Sequence, residues 1–275
     1  MNLSDLSVVI VTYKSENKIF NCLDSIPDEI QKFVVENSNN IDFKNQIESK
    51  YDNTECILTG GNKGYSIGNN IGLKKVRSKY ALILNPDTIL EKNAIKNFFI
   101  TVNQISNFWL IGPSNKTNQI SSENKIQEVK NLKGFAIFFN LEKFNNTFFD
   151  ENFFLYFEEI DLCKKVILSG GIIYLVPSIS IKHEGGSSVD NNNQRALEKN
   201  RNWHWMWSTF YFHKKYKGFF LALLIILPKF ISSILKTIFY SFTNNKEKKD
   251  IYFCRMSGIF NSILGKKSWY RPSLD

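Results

Sequence analysis

Hydrophobic positions in the first ninety residues come in short blocks, each cut off by a polar cluster. The run "LSVVIVTYK" (residues 6–14) is β-branched and stops at a polar turn, which predicts a first strand. In "SENKIFNCLDSI", Ile19, Phe20, Leu23 and Ile26 recur at helical spacing behind Ser15, a candidate N-cap. "KFVVENSNN" predicts a second strand ending at Glu36-Asn37-Ser38. "ECILTGGNKGYSIGNNIGLKKV" predicts a third strand, a Gly- and Asn-rich loop and the start of a helix. "YALILNPDT" predicts a fourth strand, stopped at Asn85-Pro86-Asp87 because proline fixes its own φ and offers no donor to a ladder. Strand–helix alternation with short links implies a parallel sheet, so the fold class is α/β. Such sheets bind ligands beyond the carboxyl ends of their strands. All three polar clusters, at residues 36–38, 62–70 and 85–87, fall on that edge.

Farther along, "LKGFAIFFN" predicts another strand. "ENFFLYFEEIDLCKKVILSGG" starts aromatic and becomes a helix, with Ile160, Cys163, Val166 and Ile167 at helical spacing and Gly170-Gly171 at its end. "IIYLVPSISIKHEGGSS" predicts a strand interrupted by Pro177, then a polar loop. The tail differs in kind. "RNWHWMWSTFYFHKKY" packs three Trp into five residues and leads into "GFFLALLIILPKFISSILKTIFYSF". Its uninterrupted apolar part, residues 219–227, is shorter than the ~20 residues needed to cross a bilayer. Lys229, Ser232, Ser233 and Lys236 form a polar stripe near helical period, and lysines and aromatic rings flank both ends. The pattern predicts a helix lying in a membrane interface, with packing against the rest of the chain as the competing expectation.

Charge sharpens this division. Residues 201–275 hold 13 Lys and Arg against 3 Asp and Glu, whereas residues 1–200 hold 22 against 23. The expectation is a neutral working domain over 1–200 and a basic, aromatic-rich helical tail over 201–275 that seeks a negative surface. The rings of the tail are interleaved with long aliphatic runs rather than polar stacking platforms, which argues for an anionic membrane and against nucleic acid. The four Cys are far apart with no CxxC pair, which disfavours a zinc ribbon or disulfide framework and fits a reducing compartment. The opening residues "MNLSDLSVVIVTYK" read as a strand and not as a signal peptide.

Several polar positions carry possible chemistry. Asp87 sits on a sharp turn at a strand end, where a carboxylate suits a hard divalent cation. Asn85 offers a second oxygen, and His183, again just past a β-branched run, a third ligand. The loop "GGNKGYSIGNNIG" has five glycines, which allow positive φ and close approach of backbone to a ligand. It matches neither GxGxxG nor the Walker sequence, so it says only phosphate or turn. In "FEEID", Glu158 and Asp161 share a helix face while Glu159 points elsewhere. These carboxylates either complement the helix dipole or supply a general base at the rim of the cleft. Phe153, Phe154, Tyr156 and Phe157 would wall such a cleft and raise a neighbouring carboxyl pKa by desolvation.

The ordered set "VVIVTYK", "VVENSNN", "NKGYSIGNNIGL", "LILNPDT", "FFLYFEEIDLCKKV" and "IKHEGGSS" resembles family 2 glycosyltransferases, in particular the rhamnosyltransferase-like branch, over about residues 6–190. The resemblance implies a GT-A fold: a Rossmann-like, mostly parallel nucleotide-binding sheet joined to an acceptor-binding half, here followed by the membrane-associated helical tail. By position, it implies that Thr12 and Glu36 contact the nucleoside, with Glu36 where the family usually has Asp. Asn62, Gly64 and Asn70 would line the nucleotide-sugar pocket. Asn85-Pro86-Asp87 stands at the family's Asp-x-Asp motif, with Asn85 replacing the first Asp and Asp87 kept as the carboxylate for Mg²⁺ or Mn²⁺. His183 would be a further metal ligand, and Glu159 the catalytic base, with Glu in place of Asp. The implied activity is inverting transfer of a hexosyl or deoxyhexosyl group from a nucleotide diphosphate-sugar to a saccharide or lipid-linked saccharide, in cell-surface polysaccharide synthesis. The implied location is the cytoplasmic side of the cell membrane, peripherally bound. A sugar nucleotidyltransferase and a non-catalytic membrane-associated nucleotide-binding protein are the competing readings.

Overall fold

The computed structural model describes residues 2–105, 107–115, 125–183 and 194–272. The chain clusters into two compact units, Met1–Asp150 with Glu159–Asp190, and Glu151–Glu158 with Asn191–Asp275. The polar loop expected after His183 lies outside the described residues.

The first unit is built on nine strands: β1 (Leu6–Thr12), β2 (Gln31–Glu36), β3 (Thr54–Leu58), β4 (Tyr80–Leu84), β5 (Thr88–Leu90), β6 (Leu110–Asn115), β7 (Gln127–Glu128), β8 (Ala136–Asn140) and β9 (Ile173–His183). Its helices are α1 (Glu16–Asp24), α2 (Ile41–Lys50), α3 (Tyr65–Lys75), α4 (Ala94–Gln104) and α5 (Glu158–Leu168). The strands run in the order β3-β2-β1-β4-β8-β6-β9-β5, with β7 on β9. The first four in that order are mutually parallel, as strand–helix alternation demands. Every residue of β1 and β4 is buried, as expected where helices cover both faces of a sheet.

Reversal begins at β8, which pairs antiparallel with both β4 and β6. Leu84, the last residue of β4, therefore faces Ala136, the first of β8. At the far edge β9 runs antiparallel to β5, and its last residue, His183, faces Thr88. These two registers bring the turn at residues 85–87, the entry to β8 and the end of β9 to one rim of the sheet.

Three local expectations need correction. Ser15 precedes α1, yet its hydroxyl does not cap the helix; Oγ instead donates to Tyr13 O at 3.0 Å. Pro177 does not interrupt β9. The strand runs through it, and its pairing with β6 jumps from Pro113↔Val176 to Ser114↔Ser180. The resulting bulge takes the proline, which has no N–H to give, out of the ladder, and Ser114 Oγ donates to the freed Pro177 carbonyl at 3.0 Å. The glycines of α3 serve packing rather than a ligand: Gly68 and Gly72, four residues apart, form a groove that receives β1. A Cβ on Gly68 would meet Val11 Cγ1 at 2.7 Å, and one on Gly72 would collide with Val9.

The second unit is helical: α6 (Gln194–Lys217), α7 (Phe219–Phe242) and α8 (Lys246–Ile263). The step in charge at residue 200 thus falls inside α6, because surface composition carries no information about where the backbone stops. Met206 and Phe210 of α6 pack with Ala222 and Ile226 of α7 and Ile259 of α8. Of the three clustered Trp, Trp203 and Trp207 are buried and Trp205 is exposed, as period 3.6 requires. His204 is buried between Phe154 and Trp203, with its nitrogens at 2.7 Å from Ser268 Oγ and 2.8 Å from Tyr270 O. Burial pushes its pKa down to about 3, so the ring is a neutral structural group. Helix α7 continues through Pro228 to 24 residues, beyond the apolar run that the sequence marks out, and is long and apolar enough to cross a membrane by length and composition.

Candidate active site

Asp87 is held at the turn by backbone geometry. Asn85 N–H donates to Phe135 O at 2.8 Å, and Asn85 O accepts from Thr88 Oγ1 at 2.7 Å. Cys22 of α1 closes the turn from behind, its Sγ 3.7 Å from Asn85 O and 3.5 Å from Thr88 Oγ1. The Asp87 side chain is fully buried, and neither carboxylate oxygen has a hydrogen-bond partner among the described residues. His183 Nε2 lies 3.4 Å from Asp87 Oδ1. The imidazole is oriented by Phe135, on which it stacks at 4.8 Å and 10°.

Gly134-Phe135 joins this pair to Glu159. While the Phe135 ring backs His183, the Cα of Gly134 faces the Glu159 side chain: a Cβ there would sit 3.5 Å from Glu159 Cβ and 3.8 Å from its carboxyl carbon. Tyr65, the first residue of α3, donates its hydroxyl to Gly134 O at 2.6 Å. Asp87 and His183 are thus in direct contact, and Glu159 reaches the same rim across two backbone residues. Glu159 stands in the first turn of α5. Burial raises its pKa, while the N–H groups of Glu159 and Ile160 oppose the rise. A carboxyl group that holds its proton more tightly than an ordinary Glu is a stronger base once ionised. The sequence named Asp87, His183 and Glu159, but not Gly134-Phe135: a glycine and an aromatic before a strand look like any strand entry.

The residues expected at the nucleotide differ in their surroundings. Thr12 ends β1 opposite Glu36, and its hydroxyl is buried without a hydrogen-bond partner among the described residues. Ser66, in the first turn of α3, is in the same condition and was not marked out by the sequence. Glu36, fully buried, turns back on its own loop: Ser38 N–H donates to Oε1 at 2.6 Å and Asn40 N–H to Oε2 at 2.7 Å. Its extra methylene relative to Asp allows that curl. Asn62 Oδ1 accepts from Gly64 N–H at 3.1 Å, and Gly64 adopts φ 87°, a left-handed conformation that suits glycine. Asn37 ties the loop to β2 by donating to Gly64 O at 3.3 Å and accepting from Thr59 Oγ1 at 3.0 Å. Asn70, expected in the sugar pocket, is a structural clamp: its amide donates to Phe149 O and accepts from Phe149 N–H, both at 3.0 Å.

The donor set fits a hard divalent cation. A buried carboxylate without hydrogen bonds is costly unless positive charge faces it. Asp87 and His183 supply two ligand groups; among the described residues no cluster of three or more His, Cys, Asp or Glu forms a complete metal cage. A Mg²⁺-type site is completed by substrate phosphates and water in such cases.

The glycosyl transferase family 2 model matches residues 7–162. The hexosyltransferase Agl10 of low-salt glycan biosynthesis in Haloferax volcanii is 28% identical over 190 residues, covering 58% of this chain and 61% of that protein. The chain therefore aligns with about three-fifths of that relative's length. The rhamnosyltransferase WbbL of Escherichia coli K12 is 24% identical over 242 residues, 72% of this chain and 88% of WbbL. Among solved structures, the mannosyltransferase PcManGT of Pyrobaculum calidifontis, in complex with GDP-Man and Mn²⁺, superposes with TM-score 0.59 at 10% identity, covering 96% of this chain and 88% of that one. Residues 1–349 of S. aureus TarS give TM-score 0.55 at 14% identity, covering 97% and 93%. This chain covers 44% of the longer TarS structure. The fold is GT-A, as the sequence motifs imply.

Proposed function

Because the chain belongs to glycosyl transferase family 2, we propose that it is a glycosyltransferase that moves a hexosyl or deoxyhexosyl group from a nucleotide diphosphate-sugar to an acceptor hydroxyl with inversion. The carrying observation is the rim where the two partnerless oxygens of Asp87, the His183 ring and the Glu159 carboxyl converge on Gly134-Phe135. Solved structures of similar fold hold UDP, UDP-GlcNAc or GDP-Man. Asp87 and His183 would hold a divalent cation, and such an ion, when bound, would supply positive charge opposite the leaving diphosphate.

The chain's own groups do the rest. The α3 amino terminus offers its first-turn backbone amides to anionic groups, while the Lys63 and Gly64 amides stay on Asn37 and Asn62 and shape the loop before it. Thr12 lends its unengaged hydroxyl to the nucleoside. The contribution of Glu36 is to fix the loop at the end of β2, since both its oxygens already hold backbone amides. Glu159 takes the acceptor proton as the acceptor oxygen bonds to the anomeric carbon. The bond from that carbon to the diphosphate oxygen breaks on the opposite face, and its electron pair leaves with the diphosphate. The acceptor is a saccharide, lipid-linked or polymeric, in cell-surface polysaccharide synthesis on the cytoplasmic side of the membrane.

The test is product identification across a panel of nucleotide-sugars, with Mg²⁺, Mn²⁺ or EDTA. The expected products are a nucleoside diphosphate and a glycoside of inverted anomeric configuration. Release of pyrophosphate from a nucleoside triphosphate would make the chain a nucleotidyltransferase, and retained configuration would remove Glu159 as the base of a single displacement.

A further inference from the structure

We infer that α7 is a membrane-embedded ridge that lies in the plane of an anionic bilayer. This rests on the helical unit alone and stands apart from the sugar-transfer reading. Phe220, Leu224, Leu227, Ile231, Leu235, Ile238 and Phe242 are all exposed, from 41% for Leu227 to 85% for Phe242. They follow one another at steps of three or four residues, so they form a single stripe along the whole helix. At 1.5 Å per residue the stripe is about 33 Å long, and no charged residue interrupts it. Monomeric soluble proteins rarely leave an apolar surface of that continuity in water.

The other face of α7 decides the orientation. Ala222, Ile226 and Ser233 are buried in the helical unit, where α7 packs against α6 and α8. Lys229 and Lys236 stand about 160–180° around the helix from Phe220, at 100° per residue. A spanning α7 would carry both lysines into hydrocarbon and would require the charged start of α8, Lys246-Glu247-Lys248-Lys249-Asp250, to be taken across it. An in-plane α7 immerses only the ridge.

Charge selects the lipid. Residues 214–249 contain eight Lys and a single acidic residue, Glu247. Lys214 and Lys217 stand just before α7 and Lys246, Lys248 and Lys249 just after it, all exposed. Nearby acidic groups are engaged elsewhere: Asp250 pairs with Arg195 and Lys199, and Glu198 with Arg201. Apolar ridge and lysine-rich ends together match an anionic leaflet, not a second copy of the same cationic surface.

The experiment is flotation of the full chain with liposomes of phosphatidylcholine, with and without phosphatidylglycerol. Co-flotation is expected only with the anionic vesicles, and high salt weakens it. Leu224→Glu and Leu235→Glu lie on exposed positions and leave the thermal melt unchanged. Each lowers the partition coefficient by about tenfold or more, the scale of losing one buried Leu side chain. Nitroxide-lipid quenching of a fluorophore placed at positions 220, 231 and 242 should report one shallow depth; a deep centre at 231 with shallow ends would overturn the in-plane orientation. Failure of the wild-type chain to float, or a dimer in light scattering that both variants break, would overturn the membrane assignment.

Discussion

His183 Nε2 stands 3.4 Å from Asp87 Oδ1, and no hydrogen bond reaches either Asp87 oxygen among the described residues. Two accounts of that pair differ in outcome. As ligands awaiting a cation, Asp87 and His183 gain most when the metal arrives; as an ion pair, they stabilise the fold without it.

Asp87→Asn separates the two accounts. The metal account expects nucleotide affinity to lose its dependence on Mg²⁺ or Mn²⁺, while melting in EDTA is unchanged or raised because a buried uncompensated charge has gone. Calorimetric titration of nucleoside diphosphate with and without metal reads the first, and a thermal melt in EDTA the second. A fall in melting temperature together with intact metal-dependent binding would favour the ion pair.

Glu159→Gln is expected to cut turnover by about 10²- to 10⁴-fold, the usual contribution of a general base, while nucleotide binding survives. Its pKa is raised by burial, so the folded state holds the proton more tightly than the unfolded chain does. The sign follows: stability falls as pH rises from the ordinary Glu range through the raised value, and the full cost is present above it. The Gln variant should therefore melt higher than wild type at neutral pH, and the gain should vanish in acid. A pH series of melts checks this, and a rate profile checks that the limb belonging to the base disappears.

Asn70→Ala leaves the buried N–H and C=O of Phe149 without their partners, a loss of about 1–3 kcal/mol per unsatisfied group. Denaturant unfolding should show that loss. Nucleotide affinity measured well below the melting temperature should stay near wild type; a specific loss of affinity in a fully folded variant would return Asn70 to the sugar pocket.

Gly72→Ala drives a methyl into Val9 in the packed face between α3 and β1. Overpacking of this kind costs about 1–3 kcal/mol, and Val9→Ala in the same chain should recover part of it. Chemical denaturation of the single and double variants gives the coupling.

The parallel half was legible because β-branched runs and turn residues alternate at short range, and all four of its strands lie where the sequence puts them. The reversal at β8 left no such trace: "GFAIFFN" reads the same whether its neighbour runs with it or against it. Asp87 and His183 stood out because each follows a β-branched run at a strand end, and Glu159 was singled out from its neighbours by the family resemblance. The clamp made by Asn70 was not legible, because a buried amide that holds a distant backbone looks, in one dimension, like an amide that binds a sugar. The glycines at 68 and 72 left phosphate and turn both open in the sequence, and their spacing of four is a helix groove packed on β1.

Gly134-Phe135 carries one further consequence. Four attachments meet on these two residues: the Tyr65 hydroxyl, the Asn85 amide, the His183 ring and the flank of Glu159. Any replacement that shifts this short segment would be felt at the start of α3, at the Asp87–His183 pair and at Glu159 together. Lys63 is exposed and takes no part in these attachments, so a change of its side chain would leave that shared segment at rest.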